Sequence, residues 1–232
     1  TLNNNDKVLI DTQVVLLPIY PGEKTSDYSP DSTLKIISGI SSAFYPDYVY
    51  PANGKLENIY GAKSVVYDIE PYLLAVKSPL TMVFDIDKLR LNGKKLSAYG
   101  QSIGADSWGF IGRLDNGSPQ IGAIGLGKIA LLEDTAPPII SDISPNGFIK
   151  SNKPVLLCTI SDNLSGLALD DGIEMTIDDT WVPAEYDLNT KKFRYQVRSP
   201  LKPGKHKLAI KAVDNQGNSS EKSAVFTIMG KY

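Results

Sequence analysis

Apolar residues in this chain alternate with polar ones at a period of two and rarely follow the helical period. In 154–161, Leu156, Cys158 and Ile160 fall on one face and Val155, Leu157 and Thr159 on the other. Such alternation predicts half-buried strands, and no stretch longer than about ten residues keeps an i, i+3, i+4 pattern. The chain is therefore predicted to be all-β. Only 85–91 admits a short helical turn, and an extended reading fits it equally well. In the first half, strands are predicted at 8–17, 34–38, 41–50, 64–69, 72–76, 81–85, 95–99, 108–114 and 121–132. Turn signals bound them: Tyr20-Pro21-Gly22, Asn53-Gly54, Asn92-Gly93 and Asp115-Asn116-Gly117. Asn and Gly accept the positive φ that tight hairpins require.

Glu133-Asp134-Thr135-Ala136-Pro137-Pro138 interrupts the pattern. A double proline favours extended polyproline geometry and predicts a stiff linker. It divides the chain into domains at 1–136 and 137–232. The second half predicts strands at 139–143, 154–161, 173–178, 181–186, 193–197, 206–213 and 224–229. About seven short strands in a domain of this size predict an immunoglobulin-like or fibronectin-like sandwich. The fold class is thus two β-sandwich domains in tandem.

Composition narrows the chemistry. Lys plus Arg is 24 and Asp plus Glu is 26 in 232 residues, a net charge of −2. That balance gives no electrostatic case for nucleic acid or an anionic membrane as partner. No apolar run reaches the roughly 18 residues of a membrane span, so no membrane insertion is expected. There is one histidine, His206, and one cysteine, Cys158. One cysteine makes no intrachain disulfide, and one histidine excludes every zinc site that needs two. The chain begins at Thr1, which reads as a processed or partial chain.

Six motifs of the second half occur in order: Asp134-Thr-Ala-Pro-Pro-Ile-Ile, Ser161-Asp-Asn-Leu-Ser-Gly-Leu, Thr176-Ile-Asp, Ala184-Glu-Tyr-Asp, Leu201-Lys-Pro-Gly-Lys-His, and Ala212-Val-Asp-Asn-Gln-Gly-Asn. Together they resemble bacterial extracellular Ig-like modules that open with D-T-x-P-P and close with D-x-x-G-N. The departure is Asp178-Asp179, where such modules usually carry Asp-Gly. In the first half, Ser78–Phe84, Leu96–Tyr99, Ser107–Gly112 and Leu126–Leu132 are similar to the β-region that follows the catalytic domain in secreted zinc endopeptidases of the lysostaphin class. The resemblance implies an accessory segment in an extracellular, cell-surface or periplasmic protein. It implies no catalysis, because that class needs His-x-x-x-Asp and His-x-His for zinc.

His206 follows the Pro203-Gly204 turn, where it is expected to bond a turn carbonyl. No G-x-S-x-G elbow accompanies it as a nucleophile partner. Cys158 is expected to be a buried core residue. In an Ig-like sandwich one end would gather Asp134, Asp162, Asn163, Asp214, Asn215 and Asn218. Calcium takes six to eight hard oxygen ligands, so this set is a candidate calcium site that would stiffen the linker. Asp and Asn are equally the ordinary residues of turns. Tyr45, Tyr48, Tyr50, Tyr60, Tyr67 and Tyr72 are six of the twelve tyrosines. Tyr45, Tyr48 and Tyr50 form a candidate ligand platform for a carbohydrate or cell-wall polymer. Trp108 and Trp181 are expected to anchor cores. Gly122-Ala-Ile-Gly-Leu-Gly opens no helix and so is no phosphate loop. The expected function is structural or binding: a non-catalytic region whose partners are other domains of its polypeptide or a surface polymer. Calcium is the one cofactor considered. A carbohydrate-binding module and an enzyme working with carboxylates alone are the alternatives.

Overall fold

The computed structural model describes residues 15–60, 62–91, 95–101, 104–114 and 119–230. The predicted strand 8–17 falls mostly outside these residues, as do the turns at Asn92-Gly93 and Asp115-Asn116-Gly117. The described residues form twenty strands and no helix. Among the described residues no helix is long and apolar enough to cross a membrane. The chain divides into two compact units between Leu132 and Glu133.

Unit 1 contains β1 (Leu17–Ile19), β2 (Thr25–Tyr28), β3 (Leu34–Ser38), β4 (Asp47–Pro51), β5 (Lys55–Ile59) and β6 (Ala62–Glu70). It continues with β7 (Leu80–Phe84), β8 (Leu96–Gln101), β9 (Gly109–Arg113), β10 (Gln120–Ala123) and β11 (Lys128–Glu133). One sheet has the order β1-β4-β6-β11-β8-β9, and β5 also pairs with β6. The other has the order β10-β7-β3-β2. Alternation sets which residues face inward. Leu34 and Ile36 of β3, and Leu80, Met82 and Phe84 of β7, meet Leu17, Ile19, Val49, Tyr67 and Ile69 in one core. Each such fully buried side chain contributes about 1.5–3 kcal/mol.

A carboxylate organises the loops beside this core. Asp31 accepts hydrogen bonds from Ser29 Oγ (2.6 Å), Thr33 Oγ1 (2.7 Å), Thr33 N (3.1 Å) and Gly54 N (2.8 Å). Thr33 Oγ1 in turn bonds the Tyr67 hydroxyl at 2.7 Å. Partial burial opposes ionisation of Asp31, but its donors prevail and hold its pKa below the ordinary value. Gly54 is required at its place: a Cβ there would lie 2.8 Å from Val65 and 3.1 Å from the Tyr67 ring.

Unit 2 contains β12 (Ile139–Ser144), β13 (Gly147–Ile149), β14 (Val155–Ser161), β15 (Ile173–Ile177) and β16 (Thr180–Trp181). It ends with β17 (Glu185–Asp187), β18 (Lys192–Gln196), β19 (Gly204–Val213) and β20 (Ser219–Ile228). Its sheets have the orders β12-β14-β18-β17 and β13-β20-β19-β15-β16. Read as strands A, B, E, D and G, F, C, these are the two sheets of an immunoglobulin-like sandwich. Leu156, Cys158 and Ile160 of β14 face Met175, Phe193, Leu208, Ile210 and Phe226 in a second core.

Several expected elements differ. The predicted strand 41–50 is a loop until Asp47, tied to 76–79 by the bridge Ala43–Val76 and by the Lys77 amide on the Ser42 carbonyl. Residues 72–76 make turns rather than a strand. The predicted strand 121–132 is two strands in different sheets, because the chain breaks at Gly127 with φ 146°. Likewise 181–186 is split between β16 and β17, which lie in opposite sheets. Asn53-Gly54 makes no tight hairpin; β4 and β5 lie one after the other along β6. Residues 85–91 form consecutive turns, with Leu89 N bonded to Asp85 O. Trp181 is no core anchor: it is 62% exposed on an edge strand.

Replacing Asp31 by Ala strands the Thr33 and Gly54 amides and should cost unit 1 about 2–4 kcal/mol. Asp31→Asn, which keeps one acceptor oxygen, should cost less. Calorimetry resolving the two units checks this: the unit 1 transition should fall and the unit 2 transition should stay.

Candidate functional site

The loops after β14 and β19, together with Asp134, bring three carboxylates together in unit 2. Oxygens of Asp134, Asp162 and Asp214 lie within 4.8 Å of one another. Asp134 and Asp214 are buried at 2% and 0% exposure. Each is held by the turn it caps. Asp162 Oδ1 accepts the amides of Leu164 (3.0 Å) and Gly166 (2.7 Å). Asp214 Oδ1 accepts those of Gln216 (2.9 Å) and Asn218 (2.7 Å). Asp134 accepts the amides of Ala136 (3.2 Å) and Ser165 (3.1 Å).

The other expected members of this set have distinct roles. Asn218 Nδ2 donates to Asp214 Oδ2 at 2.7 Å and to the Asp134 carbonyl at 3.1 Å. Asn215 Nδ2 donates to the Ser165 carbonyl at 2.8 Å, so it ties the loops together without presenting its amide nitrogen to a cation. Asn163 is exposed at the tip of its loop. Ser165 Oγ is buried and has no hydrogen-bond partner. A hydroxyl left so is uncommon in a folded interior, and alternation gives no signal for it.

Burial raises the pKa of Asp162 and the charges of Asp134 and Asp214 raise it further, against the two amides that lower it. The arrangement therefore concentrates negative charge on hard oxygens. A carboxylate has about four acceptor directions, and the bonds above leave several of them open. Its chemistry fits a hard divalent cation held through carboxylate oxygens.

His206 is committed elsewhere. It lies on β19, opposite Phe226, and stacks on that ring at 5.6 Å between centroids. Its Nδ1 is 2.6 Å from Asp178 Oδ2 and its Nε2 is 2.8 Å from the Lys202 carbonyl. Both partners are pure acceptors, so the site favours the imidazolium, in which both ring nitrogens donate. Burial lowers the His206 pKa, but the Lys202 carbonyl and Asp178 raise it above the ordinary value on balance. Desolvation raises that of Asp178, but the Lys207 amide and His206 prevail and hold it low.

The anchor was not foreseen, and it rests on Asp178, the aspartate that the usual Asp-Gly turn also carries. Both residues have positive φ, 48° and 64°, as a two-residue type I′ hairpin between β15 and β16 requires. The departure is Asp179 in place of glycine: it keeps the positive φ without glycine's freedom, and its carboxylate lies 3.6 Å from Lys207 Nζ.

Cys158 is fully buried, and burial raises its thiol pKa to about 12. Tyr45, Tyr48 and Tyr50 are all exposed, at 52%, 43% and 37%. Tyr45 sits in the loop before β4, while Tyr48 and Tyr50 share the outer face of β4. Of the other expected tyrosines, Tyr67 is core and Tyr60 receives the Trp108 amide on its hydroxyl at 3.2 Å.

The His206–Asp178 pair makes unit 2 pH-sensitive with a definite sign. A raised histidine pKa stabilises fully below the unfolded value of 6.5 and is lost as pH rises through the folded value. A lowered aspartate pKa stabilises above 3.8 and is lost as pH falls through the folded value. The pair should therefore contribute most between these limits. His206→Gln should lower the unit 2 melting temperature near pH 5, at about 4–8 °C per kcal/mol for a domain of this size. The gap from wild type should narrow as the pH rises through the raised folded-state pKa of His206.

No protein-family model matches this chain, and no curated protein matches it. Among solved structures it is similar to the crystal structure of CopC from Methylosinus trichosporium OB3b, over 41% of this chain and 99% of that one. The identity is 13% and the TM-score 0.33, a likeness that carries no functional conclusion.

Proposed function

We propose that this chain is a non-catalytic region of a bacterial secreted or cell-surface protein, spacing or docking a partner domain. The resemblance of its motifs suggests a peptidase domain as that partner and an extracellular or periplasmic location. The observation that supports this reading best is the lock on His206. The sole imidazole of the chain is stacked on Phe226 and bonded at both nitrogens to structural acceptors. A general base needs a free nitrogen within reach of the proton it takes. Incubated with purified bacterial cell walls, the chain should sediment with them and release no soluble fragments. Time-dependent release in proportion to the protein added would overturn the reading.

Calcium belongs to the same reading. Asp134, Asp162 and Asp214 supply the carboxylates, and the buried Ser165 hydroxyl is a further hard oxygen beside the Asp134 contact. Bound calcium would offset the charges of Asp134 and Asp214, which add to burial in raising the Asp162 pKa. Calcium at 100 times its dissociation constant should stabilise unit 2 by about 2.7 kcal/mol over chelator. Asp162→Asn keeps the turn's acceptor oxygen and removes one charge. It should melt no lower than wild type in chelator and should lose the calcium response. An unchanged wild-type midpoint removes the site.

A second reading, a module that binds a carbohydrate or cell-wall polymer, is favoured by the exposure of Tyr45, Tyr48 and Tyr50.

A further inference from the structure

The edge of the larger unit 1 sheet carries an apolar outer face that the register makes continuous. In the antiparallel pair β1–β4, Leu17 lies opposite Val49 and Pro18 opposite Tyr48. Leu17, Ile19 and Val49 point into the core at 1% exposure or less. The alternate residues therefore point outward. Extending the same register by one residue at each end sets Leu16 beside Tyr50 and Tyr20 beside Pro46. Three rungs of two result, spaced about 6.7 Å apart along the strands. Leu16, Tyr48 and Tyr50 are 45%, 43% and 37% exposed, and Pro18 and Tyr20 are half-buried.

Two pairs of neighbours steady rings on and beside this face. The Tyr48 hydroxyl, hydrogen-bonded beside it, lifts the Tyr20 phenol above its ordinary pKa. Tyr72, two residues past β6, donates its hydroxyl to Asp68. A fixed ring loses less side-chain freedom when a ligand lies on it. The next strand, β6, adds acids. Glu70 lies opposite Tyr50, and Asp68 is two residues before it on the same outward row. Glu23 adds its charge near Tyr20. On β11, Lys128 lies opposite Asp68 and offsets it, which leaves Glu70 beside Tyr50 and Glu23 near Tyr20 as the acids next to the tyrosines, and these suit a cation lying over electron-rich rings.

Within the carbohydrate reading, on which this rests, we infer that the outer face of β1 and β4 binds an amino-sugar polysaccharide whose sugars carry free amines. The sugar rings lie on Tyr48 and Tyr50, and Glu70, opposite Tyr50, receives an ammonium group. The chain's balance of −2 does not disclose this, because the acids and tyrosines meet only through strand pairing.

Titration with glucosamine hexamer, N-acetylglucosamine hexamer and polyphosphate, followed by tyrosine fluorescence, tests it. Glucosamine hexamer should bind tighter than the acetylated hexamer, weaken with salt, and exceed polyphosphate by far. Tyr48→Ala with Tyr50→Ala should lose at least about tenfold in affinity, while Tyr48→Phe, which keeps the ring, should bind. Glu70→Gln should erase most of the preference for the free amine. An unchanged melting curve shows that these exposed substitutions leave the fold intact. The inference is overturned if wild type binds neither hexamer, if the double variant binds as well as wild type, or if polyphosphate competes equally. It is also overturned if the face proves to join two copies of the chain, seen as a dimer lost in the double variant. Cell-wall sedimentation separates the two levels. If the double variant still sediments, this face is wrong and the wider binding reading stands; if wild type does not sediment, that reading fails.

Discussion

Loop amides buried at the ends of a sandwich must find acceptors, and in both units aspartate supplies them. Asp31, Asp134, Asp162, Asp187 and Asp214 each accept two backbone amides. An unmet buried amide costs about 1–3 kcal/mol, so Asp31, Asp134, Asp162 and Asp214 are each worth a sizeable part of a domain's stability, while Asp187 shapes an exposed turn. The loops have definite shapes because these side chains bridge them. Asp31 joins the loop before β3 to the one before β5. Asp134 holds the segment before β12 to the loop after β14. The cores fix which face of each strand is inside; the aspartates fix where the chain turns.

The same constraint explains why three negative charges sit together in unit 2. Each is there for its own turn, and the Ig-like topology brings those turns to one end of the sandwich. Burial first, and then the charges of Asp134 and Asp214, raise the pKa of Asp162, so a cluster formed for turn chemistry carries an electrostatic cost. A divalent cation would remove that cost without changing the hydrogen bonds. The cluster differs in this respect from the His206–Asp178 pair, whose charges already neutralise each other.

Strand positions were legible wherever one face of a strand is buried. In β14 the alternation of Leu156, Cys158 and Ile160 reads directly as burial. It failed for β2 and β5, edge strands with little buried surface, whose sequences TSDY and KLENI carry no apolar alternation. It also failed at Gly127, where a backbone turn splits one apolar run between two sheets. At the candidate site, the types and order of Asp134, Asp162 and Asp214 were readable, because loops of one Ig-like end converge. The exposure of Asn163 and the partners of Asn215 were not, since both depend on side-chain direction within a loop. Asp178 was noticed only as part of an unusual turn. Its role needs His206, which is 28 positions away in sequence and reached through strand pairing.

The burial of Cys158 has a use of its own. The only thiol of the chain is fully enclosed in unit 2, against Phe193 across the β14–β18 pair. A thiol with its pKa raised to about 12 is almost entirely protonated at neutral pH, and the thiolate is the reactive form. Trapping by a disulfide reagent therefore has to wait for unit 2 to open. Its rate is a native clock for the opening of one unit in a two-unit chain, readable in the unmodified protein and silent to events in unit 1.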